Sequence, residues 1–231
     1  MPCHPAPALV CVDFDDTLVA SQAHFEQAAA DLTALLQREL GAAAGDVRAV
    51  FEHLDSAHHH LGRHRNRFLL TVVGTYAALA GRDLPLRLLP ELARIAAHPY
   101  DAPIAPHAGV QAALRRLSHA FPAHVWCLTA GDPVVQPGRV ARAGLARYFD
   151  RVCVVAEKTV EVFRQVGDGH ARRVMIGNSP RTDIVPALAA GFEAWHVQAP
   201  TWVVDDGALP AGVPSCITFV EAVERLLGTD G

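Results

Sequence analysis

The 231-residue sequence has no uninterrupted apolar run near the 18 or so residues that a helix needs to cross a bilayer. Its first residues, MPCHPAPALVCVDFDD, lack the basic start and long apolar centre of a secretory signal, so no membrane partner is expected. An excess of positive charge is also missing. Twenty Lys+Arg against 24 Asp+Glu leave a formal charge of −4, which argues against a protein that coats a nucleic acid backbone. Cysteines show no pairing pattern. Cys3, Cys11, Cys127, Cys153 and Cys216 are odd in number and far apart. Three of them fall inside apolar runs, where a reduced cysteine acts as a small hydrophobe. No disulfide scaffold is expected, and a reducing cytoplasm is the expected location. Charged residues reach only 19% and hydrophobic residues 51%, enough for a real core and too apolar for a disordered chain. The length suits one core plus an insertion.

Five short apolar runs read as buried strands: residues 8–12, 124–128, 151–155, 173–176 and 194–197. Each is rich in Val, Ile, Cys or aromatic residues and runs into polar or Gly-containing sequence. Their apolarity is continuous rather than alternating, as in strands covered on both faces of a parallel sheet. Helical patterns separate the later runs. In 109–121, Val110, Leu114, Leu117 and Phe121 recur at three- and four-residue spacing, with Arg115 and Arg116 opposite. Residues 182–190, closed by Gly191, and 218–227, closed by Gly228, continue the alternation. The prediction is an α/β fold, a doubly wound parallel sheet.

One interval breaks that alternation. Residues 21–103 show helical periodicity and no strand: Phe25, Ala29, Leu32, Leu36 and Leu40 form a stripe, and 68–79 and 88–97 look similar. A crossover needs only about a dozen residues. An inserted all-helical module is therefore expected at 21–103, within an α/β core of 1–20 and 104–231, with Pro99, Pro103 and Pro106 marking the return.

The stretch VCVDFDDTLV carries the chemistry. A strand ends and delivers Asp13, Asp15 and Asp16 within four positions, followed by Thr17. Ligands of open α/β sheets bind beyond the carboxyl ends of strands. Two unit charges about 4 Å apart cost on the order of 4 kcal/mol at an effective dielectric near 20. A hard divalent cation offsets that cost, Mg²⁺ where phosphate is present; an acidic turn of capping Asp residues is the plainer reading. The second run ends in Leu128-Thr129-Ala130-Gly131-Asp132, where the Thr129 hydroxyl and a small-residue turn with free N–H groups at Ala130 can hold phosphate oxygens. Asp132 suits an N-cap before Pro133. Lys158 follows the third run, and by itself reads as a surface lysine. The fourth leads into Gly177-Asn178-Ser179-Pro180-Arg181-Thr182-Asp183, where Asp183 either serves a site or caps a helix.

Asp-x-Asp-x-Thr after the first strand, Thr after the second, Lys after the third and Gly-Asn-x-x-x-x-Asp after the fourth resemble the four ordered motifs of the haloacid dehalogenase-like hydrolases. The resemblance covers residues 8–20 and roughly 104–200, and the helical insertion resembles the first class of cap in that superfamily. It implies a Mg²⁺-dependent phosphatase acting on a small phosphorylated metabolite. Asp13 would attack phosphorus to give an aspartyl-phosphate, and Asp15 would protonate the leaving alcohol and then deprotonate water. Thr129, Ala130 and Lys158 would hold the phosphoryl group. The cation would be held by Asp13, the Asp15 carbonyl, Asp183 and Asn178.

Members that cleave carbon–halogen or carbon–phosphorus bonds typically lack an acid at the position of Asp15, and the insertion contains no lysine of the kind the latter use. A sugar phosphomutase of the same superfamily and a non-catalytic phosphate-binding relative remain as alternatives. Two departures stand out. Gly177-Asn178 replaces the more frequent Gly-Asp, which implies weaker Mg²⁺ binding, and Pro137-Gly138 interrupts the helix expected after the second motif.

Five of the 13 histidines crowd into residues 53–64, with His60 and His64 at helical spacing. A solvated basic face is the plain reading. A metal site with Asp55, or a lid whose Arg63, Arg65 or Arg67 meets a second anionic group of the substrate, are the functional ones. Hinges near 20–22 and 100–103 would let such a lid open. Trp126 and Trp195 read as core, and Trp202 as rim.

Overall fold

In the computed structural model, which describes residues 8–81, 83–199 and 207–228, six parallel strands form one sheet in the order β3-β2-β1-β4-β5-β6. They are β1 (Ala8–Val12), β2 (Val125–Ala130), β3 (Arg151–Val155), β4 (Arg172–Gly177), β5 (Glu193–Val197) and β6 (Ser215–Cys216). The two-residue β6 has no apolar run of its own and was not among the expected strands. The order reverses beside β1, where one half of the chain builds outward through β2 and the other through β4, and ligand crevices form at such a point. Register places the ends together: Val12 pairs with Cys127 on one side and Ile176 on the other.

Alternation along each strand divides the core. Val10, Val12, Val125, Cys127, Val174 and Ile176 face one layer, and Leu9, Cys11, Leu128 and Met175 the other. The first layer is closed by Val110, Leu114 and Leu117 of α5 (Val110–Ala120), Val140 of α6 (Gln136–Arg142), and Phe219, Val223 and Leu226 of α9 (Phe219–Gly228). The second is closed by Phe163 of α7 (Val160–Gly167), Ala187 of α8 (Val185–Ala189), and Phe192. This is why the central strands β1, β2 and β4 read as uninterrupted hydrophobic runs: both faces are covered, whereas the edge strand β3 is only partly buried.

The chain separates into two compact units, Met1–Gln22 with Ile104–Gly231, and Ala23–Pro103. The second is helical, with α1 (Gln22–Leu40) entering it, then α2 (Val47–Ala57), α3 (Arg65–Ala80) and α4 (Leu89–Asp101). Leu32, Leu36, Val72, Tyr76, Leu92 and Ile95 form its own core.

Several local expectations need correction. Residues 182–190 do not form one helix. A wide helical turn over Pro180–Ile184 precedes α8, because Pro186 has no N–H to continue the ladder. Gly228 is the last residue of α9 and not a left-handed stop, whereas Gly191 has φ +83°. Pro137 does not break α6; it stands in the first turn, where its missing N–H is no loss, and the helix is seven residues long. His60 and His64 do not share a helix. His60 lies in the short turn His58–Leu61 with Nδ1 against the Ala57 carbonyl, and His64 precedes α3. Among the described residues no group of three or more His, Cys, Asp or Glu could hold a metal ion, so the histidine segment supplies no such site. Arg65 and Arg67 are in ion pairs with Asp101 and Asp55. Trp126 is partly buried and Trp195 buried; Trp202 and Cys3 lie outside the described residues.

Candidate active site

The ends of β1 and β4 bring three acidic or amide side chains onto one lysine and one threonine. The Asp13 N–H donates to the Ile176 carbonyl at 2.9 Å, which fixes the first residue beyond β1 against β4. Its carboxylate then accepts from Lys158 Nζ at 2.5 Å on Oδ1 and from Thr17 Oγ1 at 2.9 Å on Oδ2. Lys158 Nζ also donates to Asp183 Oδ1 at 2.5 Å, so one ammonium serves two buried carboxylates. The other Asp183 oxygen accepts the Ser179 N–H at 3.0 Å. Asn178 Oδ1 lies 3.2 Å from Thr17 Oγ1, so the Thr17 hydroxyl stands between that amide oxygen and Asp13 Oδ2. His196 holds the Asn178 backbone: its Nε2 lies 3.0 Å from that carbonyl and its Nδ1 3.0 Å from Ser215 Oγ. A carbonyl only accepts, so Nε2 carries a proton and donates it there.

Burial pushes the Asp13 carboxyl up to about 7; Lys158 opposes this, while the charges on Asp183 and Asp15 add to it. Burial works against the Lys158 charge as well, but Asp13 and Asp183 together hold the ammonium well above its ordinary range. Lys158 is the only lysine in the sequence. It is 5% exposed, the opposite of the surface residue that its type alone suggests.

Asp15 belongs to a second cluster. Its carboxylate accepts from Gln136 Nε2 at 2.7 Å, from Arg139 Nη1 at 2.6 Å and from the Ser21 hydroxyl. Burial raises its proton affinity, but the Arg139 charge and these three donors outweigh that and lower its pKa below the ordinary carboxylate value. Gln136 Nε2 also reaches Thr129 Oγ1 at 2.8 Å, which ties Asp15 to the end of β2. Asp16 has φ +59°, a conformation that Asp tolerates better than most residues, and its Oδ1 accepts the Ser21 and Gln22 N–H groups at 2.8 Å each, starting α1.

Asp13, Lys158, Asn178 and Asp183 therefore meet in one cluster, and Asp15 and Thr129 in an adjoining one. Ala130 ends β2, but the next N–H is not free: Gly131 donates to the Val155 carbonyl at 2.9 Å. Asp132 caps the following turn, with Oδ1 accepting from the Val134 N–H at 2.9 Å. Gln136, Arg139, Ser21 and His196 were not singled out in the sequence. The signal for the first two is an i, i+3 polar pair on the short helix that follows Thr129.

The donors suit a hard cation. Asp13, Asp183, Asn178 and the main-chain carbonyl of Asp15 offer oxygen only. The third side chain is an amide rather than a carboxylate, and two carboxylates against one ammonium leave negative charge over.

A doubly wound sheet with these four motifs at successive strand ends makes the chain a member of the haloacid dehalogenase-like hydrolase superfamily. No protein-family model matches the chain, and no curated protein matches it in sequence. Solved structures do. A haloacid dehalogenase-like family hydrolase from Xanthomonas campestris is 26% identical, with TM-score 0.79 over 98% of this chain and 97% of that one. L-2-haloacid dehalogenase from Xanthobacter autotrophicus is 15% identical, with TM-score 0.66 over 96% and 99%. A predicted phosphoglycolate phosphatase from Haemophilus somnus 129PT is 14% identical, with TM-score 0.59 over 97% and 100%. The last two likenesses concern the fold alone.

Proposed function

We propose that the chain is a Mg²⁺-dependent phosphatase that hydrolyses a small-molecule phosphate monoester through an aspartyl-phosphate. The observation that carries this reading is the carboxylate of Asp15, tied through Gln136 to Thr129 and standing two residues from Asp13. A dehalogenase has no leaving alcohol to protonate and no use for that acid.

An Asp13 oxygen forms a bond to phosphorus as the ester P–O bond breaks, and Asp15 gives the leaving oxygen its proton. Water then attacks the phosphorus of the aspartyl-phosphate, Asp15 takes the proton, and inorganic phosphate leaves with Asp13 restored. The ionised form of Asp15 suits the second step directly. In the first, the anionic phosphoryl group arriving beside it raises its affinity for a proton. Thr129 and Lys158 donate to the phosphoryl oxygens, and Lys158 holds Asp13 in line. Mg²⁺, held by Asp13, Asp183, Asn178 and the Asp15 carbonyl, would neutralise charge between nucleophile and ester.

The test is hydrolysis of p-nitrophenyl phosphate with Mg²⁺ and with EDTA. Phosphate release that needs the metal and disappears in Asp13→Asn supports the reading. Halide release from a 2-haloacid, without phosphate release from any ester of a phosphometabolite panel, overturns it.

A further inference from the structure

Asp15 is gripped on both carboxylate oxygens by side chains from outside its own loop, and the donors grip one another. Arg139 Nη1 lies 2.6 Å from Asp15 Oδ1 and 2.8 Å from Gln136 Oε1, while Nη2 lies 2.9 Å from Ser21 Oγ. The contact to Arg139, which can only donate, sets the Gln136 amide orientation. Its nitrogen then spends one hydrogen on Asp15 Oδ2 and the other on Thr129 Oγ1. Thr129 accepts there, so its own hydrogen is left for another acceptor. Gln136 and Arg139 are each 4% exposed, and the guanidinium lies 5.6 Å from the Phe14 ring centre, which closes the remaining side. An arginine this well buried, with a fixed fork, sets the direction of the carboxylate it binds.

We propose that Arg139, Ser21 and Gln136 are positioning residues that aim Asp15 at the leaving-group oxygen, and that Gln136 in addition turns the Thr129 hydroxyl toward the phosphoryl group. The assignment rests on the phosphatase reading above and adds to it the residues that set the acid's direction. General acid catalysis depends on hydrogen-bond reach to the oxygen that departs. Misaiming the acid therefore matters most for esters whose alcohol is a poor leaving group, such as benzyl phosphate, and least for p-nitrophenyl phosphate. Loss of Thr129 orientation weakens both esters alike.

The experiment compares kcat/KM for those two esters, a quantity that includes the step in which the alcohol leaves. Arg139→Lys keeps the buried charge and loses the fork, with a route to Thr129 only through Gln136 Oε1, and Ser21→Ala removes one donor to Asp15. Each is expected to lower benzyl phosphate turnover about tenfold or more relative to p-nitrophenyl phosphate, in the same direction as Asp15→Asn. Gln136→Met is expected to show that selectivity plus a loss common to both esters. Thermal midpoints accompany every variant, and if Arg139→Lys does not fold, Ser21→Ala decides. An equal loss on both esters in Arg139→Lys and Ser21→Ala, or no loss, overturns the assignment. Wild-type protein that, with Mg²⁺, releases phosphate neither from these two esters nor from any member of the phosphometabolite panel overturns it as well, together with the phosphatase reading, whereas the preceding outcomes leave that reading intact.

Discussion

Gly177 packs directly against Asp183: a Cβ built on the glycine would run into the Asp183 carboxyl group and its own Cβ. Only a residue without a side chain lets the end of β4 pass under the carboxylate that Lys158 holds. Gly177→Ala is expected to displace Asp183, costing about 1–3 kcal/mol of stability as overpacking. At the same time the Lys158 pair is disturbed, and turnover should fall at least about tenfold. Denaturant midpoints and p-nitrophenyl phosphate kinetics check the two effects separately.

Removing the shared cation exposes the opposite fault. Lys158→Met leaves Asp13 and Asp183 buried without their common partner, and breaking a buried pair in this way costs about 3–5 kcal/mol. A urea midpoint equal to that of the wild type would contradict the buried arrangement.

The same burial protects the amine. As the only lysine, Lys158 should resist acylation in the native protein and react once the chain is unfolded in urea. Mass spectrometry after brief treatment with an amine-reactive ester reads this directly, as one added acyl group per chain at Lys158 only in urea.

Asn178→Asp adds a negative charge beside Asp13 and should tighten Mg²⁺ by about tenfold, since affinity for hard cations rises with ligand charge. An unchanged metal titration counts against Asn178 as a donor.

Gly131→Ala brings a Cβ to 2.8 Å from Gln136 Cγ, close to the root of that side chain, where it cannot swing aside. The variant should weaken turnover of benzyl phosphate more than that of p-nitrophenyl phosphate, as Gln136→Met does. Kinetics on both esters give the comparison.

Much of the core could be read without coordinates, for a physical reason. A strand buried on two faces must be apolar throughout, so residues 8–12 announce themselves, and the polar residues just past such runs fall at the ligand-binding edge of a parallel sheet. Asp13 and Thr129 stand out in that way, whereas Lys158 and Asp183 are picked out only by the resemblance of the four motifs taken in order. β6 was not, because two residues carry no period. The helix α8 was misjudged at its start, because the effect of Pro186 on the ladder depends on how the wide turn before it closes. The histidine segment misled in the other direction: helical spacing has meaning only within one helix, and His60 and His64 stand on either side of a break at Gly62.

Local composition thus decided which elements form and which residue types stand at their ends, because backbone period and side-chain burial act over a few neighbouring positions. It could not decide that Asp15 pairs with Arg139 and Gln136 while Asp13 pairs with Lys158. Those partners lie more than a hundred residues away along the chain. Their hydrogen bonds gain strength only after the sheet has removed water from around them, and no pattern within a single segment records that choice.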